Sequence, residues 1–269
     1  MLNKALRSHF ATSYPEMRIN MTNEQITLKK WIDESSYIVF FGGAGVSTES
    51  NIPDFRSTDG LYNQKYKYPP ETILSHSFFM RNPEEFYDFY RDKMIYQDAK
   101  PNKAHYALAK LEAVGKLQAV VTQNIDGLHQ AAGSRAVYEL HGTIMENYCM
   151  RCGREYPLAA ITGSSKIPRC TVKDATGGVC NGIIKPKVVL YEEALDDNVV
   201  SGAISHIRKA DLLIIGGTSL TVYPAAGLIR YFSGKHIVLI NKSATSSDQM
   251  ADLIIREPIG ETLGAVLCE

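Results

Sequence analysis

Tyr37-Ile38-Val39-Phe40-Phe41-Gly42-Gly43-Ala44-Gly45-Val46-Ser47-Thr48 joins a short apolar run to a turn carrying three glycines. An uninterrupted apolar run of this length, bounded by a turn, reads as a buried strand of parallel type. The glycines let the chain turn sharply and bring bare N–H groups close to a pyrophosphate, while the next turn offers a helix N-terminus to the same anion. A Gly-x-Gly turn alone is weak, because glycine pairs also mark ordinary tight turns. The continuation Glu49-Ser50-Asn51-Ile52-Pro53-Asp54-Phe55-Arg56 is more unusual, since it sets an acid, an aromatic and a guanidinium side by side behind a loop suited to a dinucleotide.

Working outward, further apolar runs at 37–41, 118–122, 136–140, 212–215, 236–240 and 253–255 read as strands. Helical stretches lie between several of them: 104–114, with Gly115 as C-cap, and another opened by Pro224. Near-continuous apolar strands alternating with helices predict an α/β fold, a doubly wound parallel Rossmann-like sheet with ligands at the strand C-terminal ends. Polar motifs fall at those ends. Gln123-Asn124-Ile125-Asp126-Gly127-Leu128-His129 follows the second run, Glu139-Leu140-His141-Gly142 the third, Gly216-Gly217-Thr218-Ser219 the fourth and Asn241-Lys242-Ser243 the fifth.

Two segments interrupt the rhythm. Residues 57–100 hold Tyr62, Tyr66, Tyr68, Phe78, Phe79, Phe86, Tyr87, Phe89 and Tyr90, aromatics at helical spacing that predict the core of a small helical lobe. Residues 143–187 carry Cys149, Cys152, Cys170 and Cys180. A Cys-x2-Cys turn points two sulfurs at one spot, and four thiolates suit a closed tetrahedral zinc site, structural because no coordination position stays open. The second pair is more widely spaced than the first. Cys268 is left over as a free thiol.

With 269 residues, 45% of them hydrophobic, the chain can bury a sizeable core. Lys plus Arg and Asp plus Glu balance at 29 each, so no global field draws it to nucleic acid or an anionic membrane. Five cysteines without a leader-like N-terminal run predict a reducing, cytoplasmic setting. Residues 1–21 read as an N-terminal extension, and helical patterning starts where Thr22 and Gln25 form a capping box ahead of Ile26, Leu28, Trp31 and Ile32.

Taken in order, the Gly42–Arg56 stretch, the Gln123–His129 loop, Glu139–Gly142 and the cysteines resemble the sirtuin family, the NAD-dependent protein deacylases, over residues 22–269. The resemblance implies that an acyl-lysine protein, NAD and water give lysine, nicotinamide and O-acyl-ADP-ribose. It implies His141 as general base, with Asn124 and Ser47 at the ribose. The loop residues Gly43, Ala44, Gly45 and Thr48 would line the NAD site with Gln123, and Asp54, Phe55, Arg56, Ile125 and Asp126 would surround its nicotinamide end. Gly217, Thr218, Ser219, Asn241 and Ile259 would take the adenosine half, and zinc would be structural. Val188, Val189, Leu190 and Tyr191 match the segment that pairs with the substrate backbone, with Val222 on the other side. Tyr191-Glu192 stands where the family commonly has Phe-Gly. The segment 57–100 lacks a tyrosine with an arginine three residues on, so short uncharged acyl chains are expected.

Three other functions share parts of the pattern. A hydride-transferring NAD enzyme would use the glycine loop, but it has no use for Pro53-Asp54-Phe55-Arg56, and it places an acid where this chain has Lys65, Tyr66 and Lys67. A zinc-ribbon module for nucleic acid would need a basic stripe. Transfer of ADP-ribose to a protein side chain starts with the same NAD cleavage, and His141 favours deacylation over it. A monomer is expected.

Overall fold

The computed structural model describes residues 21–55, 60, 67–173 and 177–267. The N-terminal extension 1–20, Arg56, Tyr62, Tyr66 and Cys268 lie outside the described residues.

Nine strands are described: β1 Ile38–Gly42, β2 Leu117–Thr122, β3 Val137–Glu139, β4 Gly142–Cys149, β5 Glu155–Pro157, β6 Ile184–Val188, β7 Leu212–Gly216, β8 His236–Ile240 and β9 Leu253–Ile255. Six form a parallel sheet in the order β3-β2-β1-β7-β8-β9, and β5-β4-β6 make a small antiparallel sheet. The order reverses between β1 and β7, whose C-terminal ends splay into the Gly43 and Gly217 loops. That is the topological switch point where open α/β sheets bind ligands.

Strand alternation sorts the core into two faces. Ile38, Phe40, Val120, Leu212, Ile214, Val238 and Ile240 point to one side, where Leu28 and Ile32 of helix Asn23–Glu34, Leu108 of Lys103–Ala113 and Leu263 of Ile259–Leu267 cover them. Val39, Phe41, Val121, Leu213 and Ile215 point to the other, against Ala203 and Ile207 of helix Asp197–Lys209 and Leu228 and Ile229. Each large apolar side chain fully buried this way contributes about 1.5–3 kcal/mol.

Local signals held at several element ends. Thr22 and Gln25 form the reciprocal capping box, and Gly115 takes φ +77° just past helix Lys103–Ala113, where a left-handed residue ends the run. Two expectations need correction. Ile26 is 54% exposed, because Leu28 and Ile32, four residues apart, already define the buried face. The helix expected from Pro224 is a 3-10 run, Ala225–Tyr231, in which Gly227 donates to the Pro224 carbonyl at 2.9 Å. Gly227 itself lowers α-propensity in so short a run.

The two interrupting segments fold into one lobe. Phe78, Phe79, Phe86, Tyr87 and Tyr90, from helices His76–Arg81 and Pro83–Lys93, share a core with Ile144 of β4 and Ile184 and Val188 of β6. The Tyr87 hydroxyl donates to the Ile184 carbonyl at 2.6 Å, so an otherwise apolar contact also satisfies a strand-end acceptor.

Candidate functional site

At the switch point the β1 and β7 loops meet backbone to backbone. Gly43 donates to the Gly216 carbonyl at 3.2 Å and Gly45 to that of Gly217 at 2.7 Å. A Cβ on Gly45 would sit 2.7 Å from Gly217 Cα, and one on Gly217, at φ +60°, would sit 2.4 Å from Val46 N. Only glycine permits this approach, and the resulting cradle of main chain is what a pyrophosphate needs.

The β2 loop is wired into the same cradle. Gln123 N donates to Gly42 O at 2.9 Å and its Oε1 accepts from Thr218 Oγ1 at 2.8 Å, while its buried Nε2 has no partner among the described residues. Asn124 Nδ2 donates to Ser47 Oγ at 3.0 Å, and Ser47 Oγ donates to Asp126 Oδ2 at 2.6 Å. Ser47 is 1% exposed and Asn124 8%, so both side chains are held at fixed positions under the loop. Asp126 Oδ1 accepts from Leu128 N at 2.9 Å, an Asx turn that ends the motif. Phe55 and Ile125 both pack on the small-lobe core.

His141 follows β3. Its Nδ1 lies 3.0 Å from the Gln123 carbonyl, an acceptor only, so Nδ1 carries the proton and Nε2 keeps its lone pair. Burial pushes its pKa below the usual imidazole range, against the opposing pull of the Gln123 carbonyl. The geometry therefore holds a neutral imidazole with a base on its far side. The His141 carbonyl accepts from Val189 N at 2.9 Å, so the same residue anchors segment 188–191.

Other expected residues lie at the neighbouring strand ends without side-chain links to that wiring. Ser219 Oγ pairs with Thr221 Oγ1 at 2.9 Å, Asn241 Nδ2 donates to Ser243 O at 2.9 Å, and Thr48 Oγ1 donates to Gly45 O at 3.0 Å. Ile259 is a core side chain, 4% exposed, with its Cδ1 where a Cβ on Gly216 would fall. His129, which closes the Gln123–His129 motif, is buried with neither ring nitrogen partnered among the described residues, packed against His105 with ring centroids 4.7 Å apart. The preceding Asx turn and helical residues Leu128–Ala131 aim it into the core. Desolvation pushes His129 down to about 3 and His105 to about 4.

Sequence reasoning gave no role to Glu139, whose burial raises its pKa to about 7, or to the Lys185–Glu193 pair. Glu139 stood inside a quoted motif, and Glu193 directly follows Tyr191-Glu192. Their importance depends on burial, which a sequence does not display.

The four cysteine sulfurs all lie within 4.8 Å of one another, with Cys149–Cys180 and Cys152–Cys170 each at 3.6 Å. Zinc–sulfur bonds of about 2.3 Å in a tetrahedron place sulfurs about 3.8 Å apart, so the thiols fit one ion. Tyr156 donates to Cys170 Sγ at 3.1 Å, which favours its thiolate. Cys180, the last of the four, takes its place through main-chain bonds of Cys180 N to Val172 O and Asn181 N to Cys170 O.

The fold and site define a Rossmann-like nucleotide-binding protein with a four-cysteine lobe. The Sir2 family model matches residues 43–224. The chain is 60% identical over 243 residues to an NAD-dependent protein deacetylase of Clostridium acetobutylicum, covering 89% of this chain and 96% of that one. It is 52% identical to a protein of the same name from Cutibacterium acnes, over 91% and 98%. A Sir2 histidine-to-alanine variant solved with a deacetylated p53 peptide and 3'-O-acetyl-ADP-ribose superposes with a TM-score of 0.81 at 40% identity, over 90% of this chain and 96% of that one. The chain belongs to the Sir2 family.

Proposed function

We propose that the protein is an NAD-dependent protein-lysine deacetylase, converting an acyl-lysine protein, NAD and water to lysine, nicotinamide and O-acyl-ADP-ribose, with residues 22–269 as its catalytic domain. The observation that carries this is the tautomer of His141, fixed by the Gln123 carbonyl, beside the Asn124–Ser47–Asp126 chain. Bound NAD supplies a ribose carbon from which nicotinamide can be displaced.

The residues divide the work by position. The loop of Gly43, Ala44 and Gly45, braced by its Gly43 and Gly45 N–H groups on the Gly216 and Gly217 carbonyls, cradles the pyrophosphate and offers it the Ala44 N–H, with Thr218 beside it. Asp126 and Ile125 hold the carboxamide end, Asp54 flanks it, and Phe55 keeps water from the reacting carbon. Asn124 and Ser47 orient the ribose, with Gln123 and Thr48 bracing the loops. Ser219 and Asn241 take the adenosine ribose, and Ile259 closes that end through its main chain. His141 Nε2 accepts a proton from a ribose hydroxyl, and because burial disfavours its cation, the base stays unprotonated below the ordinary imidazole pKa.

Segment 188–191 and Val222 pair with the main chain of the substrate, which gives breadth over protein sequence. Zinc on Cys149, Cys152, Cys170 and Cys180 braces the lobe. The enzyme works as a cytoplasmic monomer, which size-exclusion chromatography and cell fractionation check.

Mass spectrometry of an acetyl-lysine peptide incubated with protein and NAD tests the assignment. Deacetylated peptide and O-acetyl-ADP-ribose are expected, and a loss on the order of 10²-fold or more in His141→Ala. ADP-ribosylated peptide as the main product would overturn it.

A further inference from the structure

Glu192 takes a φ of +76°, the left-handed region in which glycine is the residue most easily placed. A non-glycine residue in this region is strained unless its surroundings hold it. Here the side chain supplies the hold. One Glu192 carboxylate oxygen accepts from Ser77 N at 2.8 Å and the other from Ser77 Oγ at 3.0 Å, in the first turn of helix His76–Arg81.

Around this contact the peptide segment is bonded to the helical lobe along one edge. Tyr191 N donates to Leu74 O at 3.0 Å and His76 N to Tyr191 O at 3.0 Å. Glu193 Oε2 accepts from Leu190 N at 2.9 Å and from the buried Lys185 Nζ at 3.1 Å, and its Oε1 meets His76 Nδ1 at 2.8 Å. Glu193 thus fixes the segment to β6 and to His76, while Glu192 adds two bonds to the next residue of that helix. The Glu192 contact is the outermost of these, since both its partners are solvent-accessible.

We propose that Glu192 is a positioning residue for the protein substrate: through its two hydrogen bonds to Ser77 it latches segment 188–191 to helix His76–Arg81 and presets the main-chain edge on which the acyl-lysine peptide docks. The proposal rests on segment 188–191 as the peptide-binding strand. A preset edge loses little freedom when the peptide arrives, whereas an unlatched one must be ordered at that moment, which weakens peptide binding and leaves NAD binding unchanged.

Steady-state kinetics with acetyl-lysine peptide, varying peptide and NAD separately, test it in the wild type, Glu192→Gly, Ser77→Ala and the double variant. Glycine relieves the positive φ but removes the latch, so a latch predicts a peptide KM raised about three- to tenfold with NAD KM unchanged. Ser77→Ala, which deletes one of the two bonds, should have a smaller effect of the same kind and none in the Glu192→Gly background. A peptide N-methylated at the backbone amides flanking the acetyl-lysine is the companion probe, expected to be a much poorer substrate for the wild type. If it is poor but Glu192→Gly keeps the wild-type peptide KM, or raises the peptide and NAD KM values equally, the latch is refuted and the docking strand stands. If the N-methylated peptide is turned over as well as its parent, the docking strand falls and the latch with it.

Discussion

Acidification should destabilise the fold through the buried His105–His129 pair, by an amount that substitution can isolate. Both imidazoles are neutral in the native protein, at about 4 and about 3, against an unfolded value near 6.5. Below pH 6.5 the unfolded chain therefore binds more protons than the folded one, so stability is full above pH 6.5 and falls as pH drops towards those depressed values. Between pH 7 and pH 5 each ring removes about 2 kcal/mol. His141, also shifted down by burial, acts in the same direction. Glu139 opposes them: raised to about 7, it binds a proton in the folded state first and returns at most about 2 kcal/mol over the same range.

The wild-type difference is thus a sum of opposing terms, and His129→Leu separates them. Leucine suits the apolar neighbourhood of Phe40 and removes two unpartnered ring nitrogens, so stability at pH 7 should change little or rise. The loss from pH 7 to pH 5 should shrink by about 2 kcal/mol. Urea unfolding followed by far-ultraviolet circular dichroism at the two pH values measures both quantities. An unchanged gap between pH 7 and pH 5 in the variant would show that His129 is protonated or solvated in the folded protein, and the electrostatic reasoning would be refuted.

Gly217→Ala should part the two nucleotide loops, since its Cβ would fall 2.4 Å from Val46 N and 2.6 Å from Gly45 C; overpacking of about 1–3 kcal/mol should appear mainly as lost ADP-ribose affinity, and wild-type affinity by calorimetry would contradict it. Asp126→Asn keeps one of the two acceptors that now hold Ser47 and Leu128, so turnover and nicotinamide inhibition should weaken by about 10- to 150-fold, the value of one charge-assisted bond of about 1.5–3 kcal/mol. ADP-ribose binding should survive, and an equal drop there would make Asp126 a support for the whole loop. Cys180→Ser should lower zinc content and melting temperature together, because binding free energy in such sites is folding free energy; a variant that keeps its metal would remove Cys180 from the ligand set.

The sequence by itself determined those features that depend on a few neighbouring residues. Runs such as 236–240 and 253–255 marked their strands to the residue, because strands of a parallel sheet covered by helices read as near-continuous apolar stretches. The Thr22–Gln25 cap and the first Cys-x2-Cys turn were legible because each answers to local backbone geometry, and glycines 43, 45 and 217 stood out as motifs although the approach that requires them joins two distant loops. Tertiary structure decided what depends on contacts between distant segments. The aromatic helices and the cysteine segment looked like separate interruptions, yet Tyr87 reaches Ile184 and their side chains close one core. Likewise nothing local to His141 selects its tautomer, which the Gln123 carbonyl sets from another strand end, and nothing local to His129 reveals that it is buried and neutral. Hydrophobic period and turn chemistry are written along the chain, whereas burial and the hydrogen-bond partner of a titratable group arise only when segments far apart in sequence exclude water together.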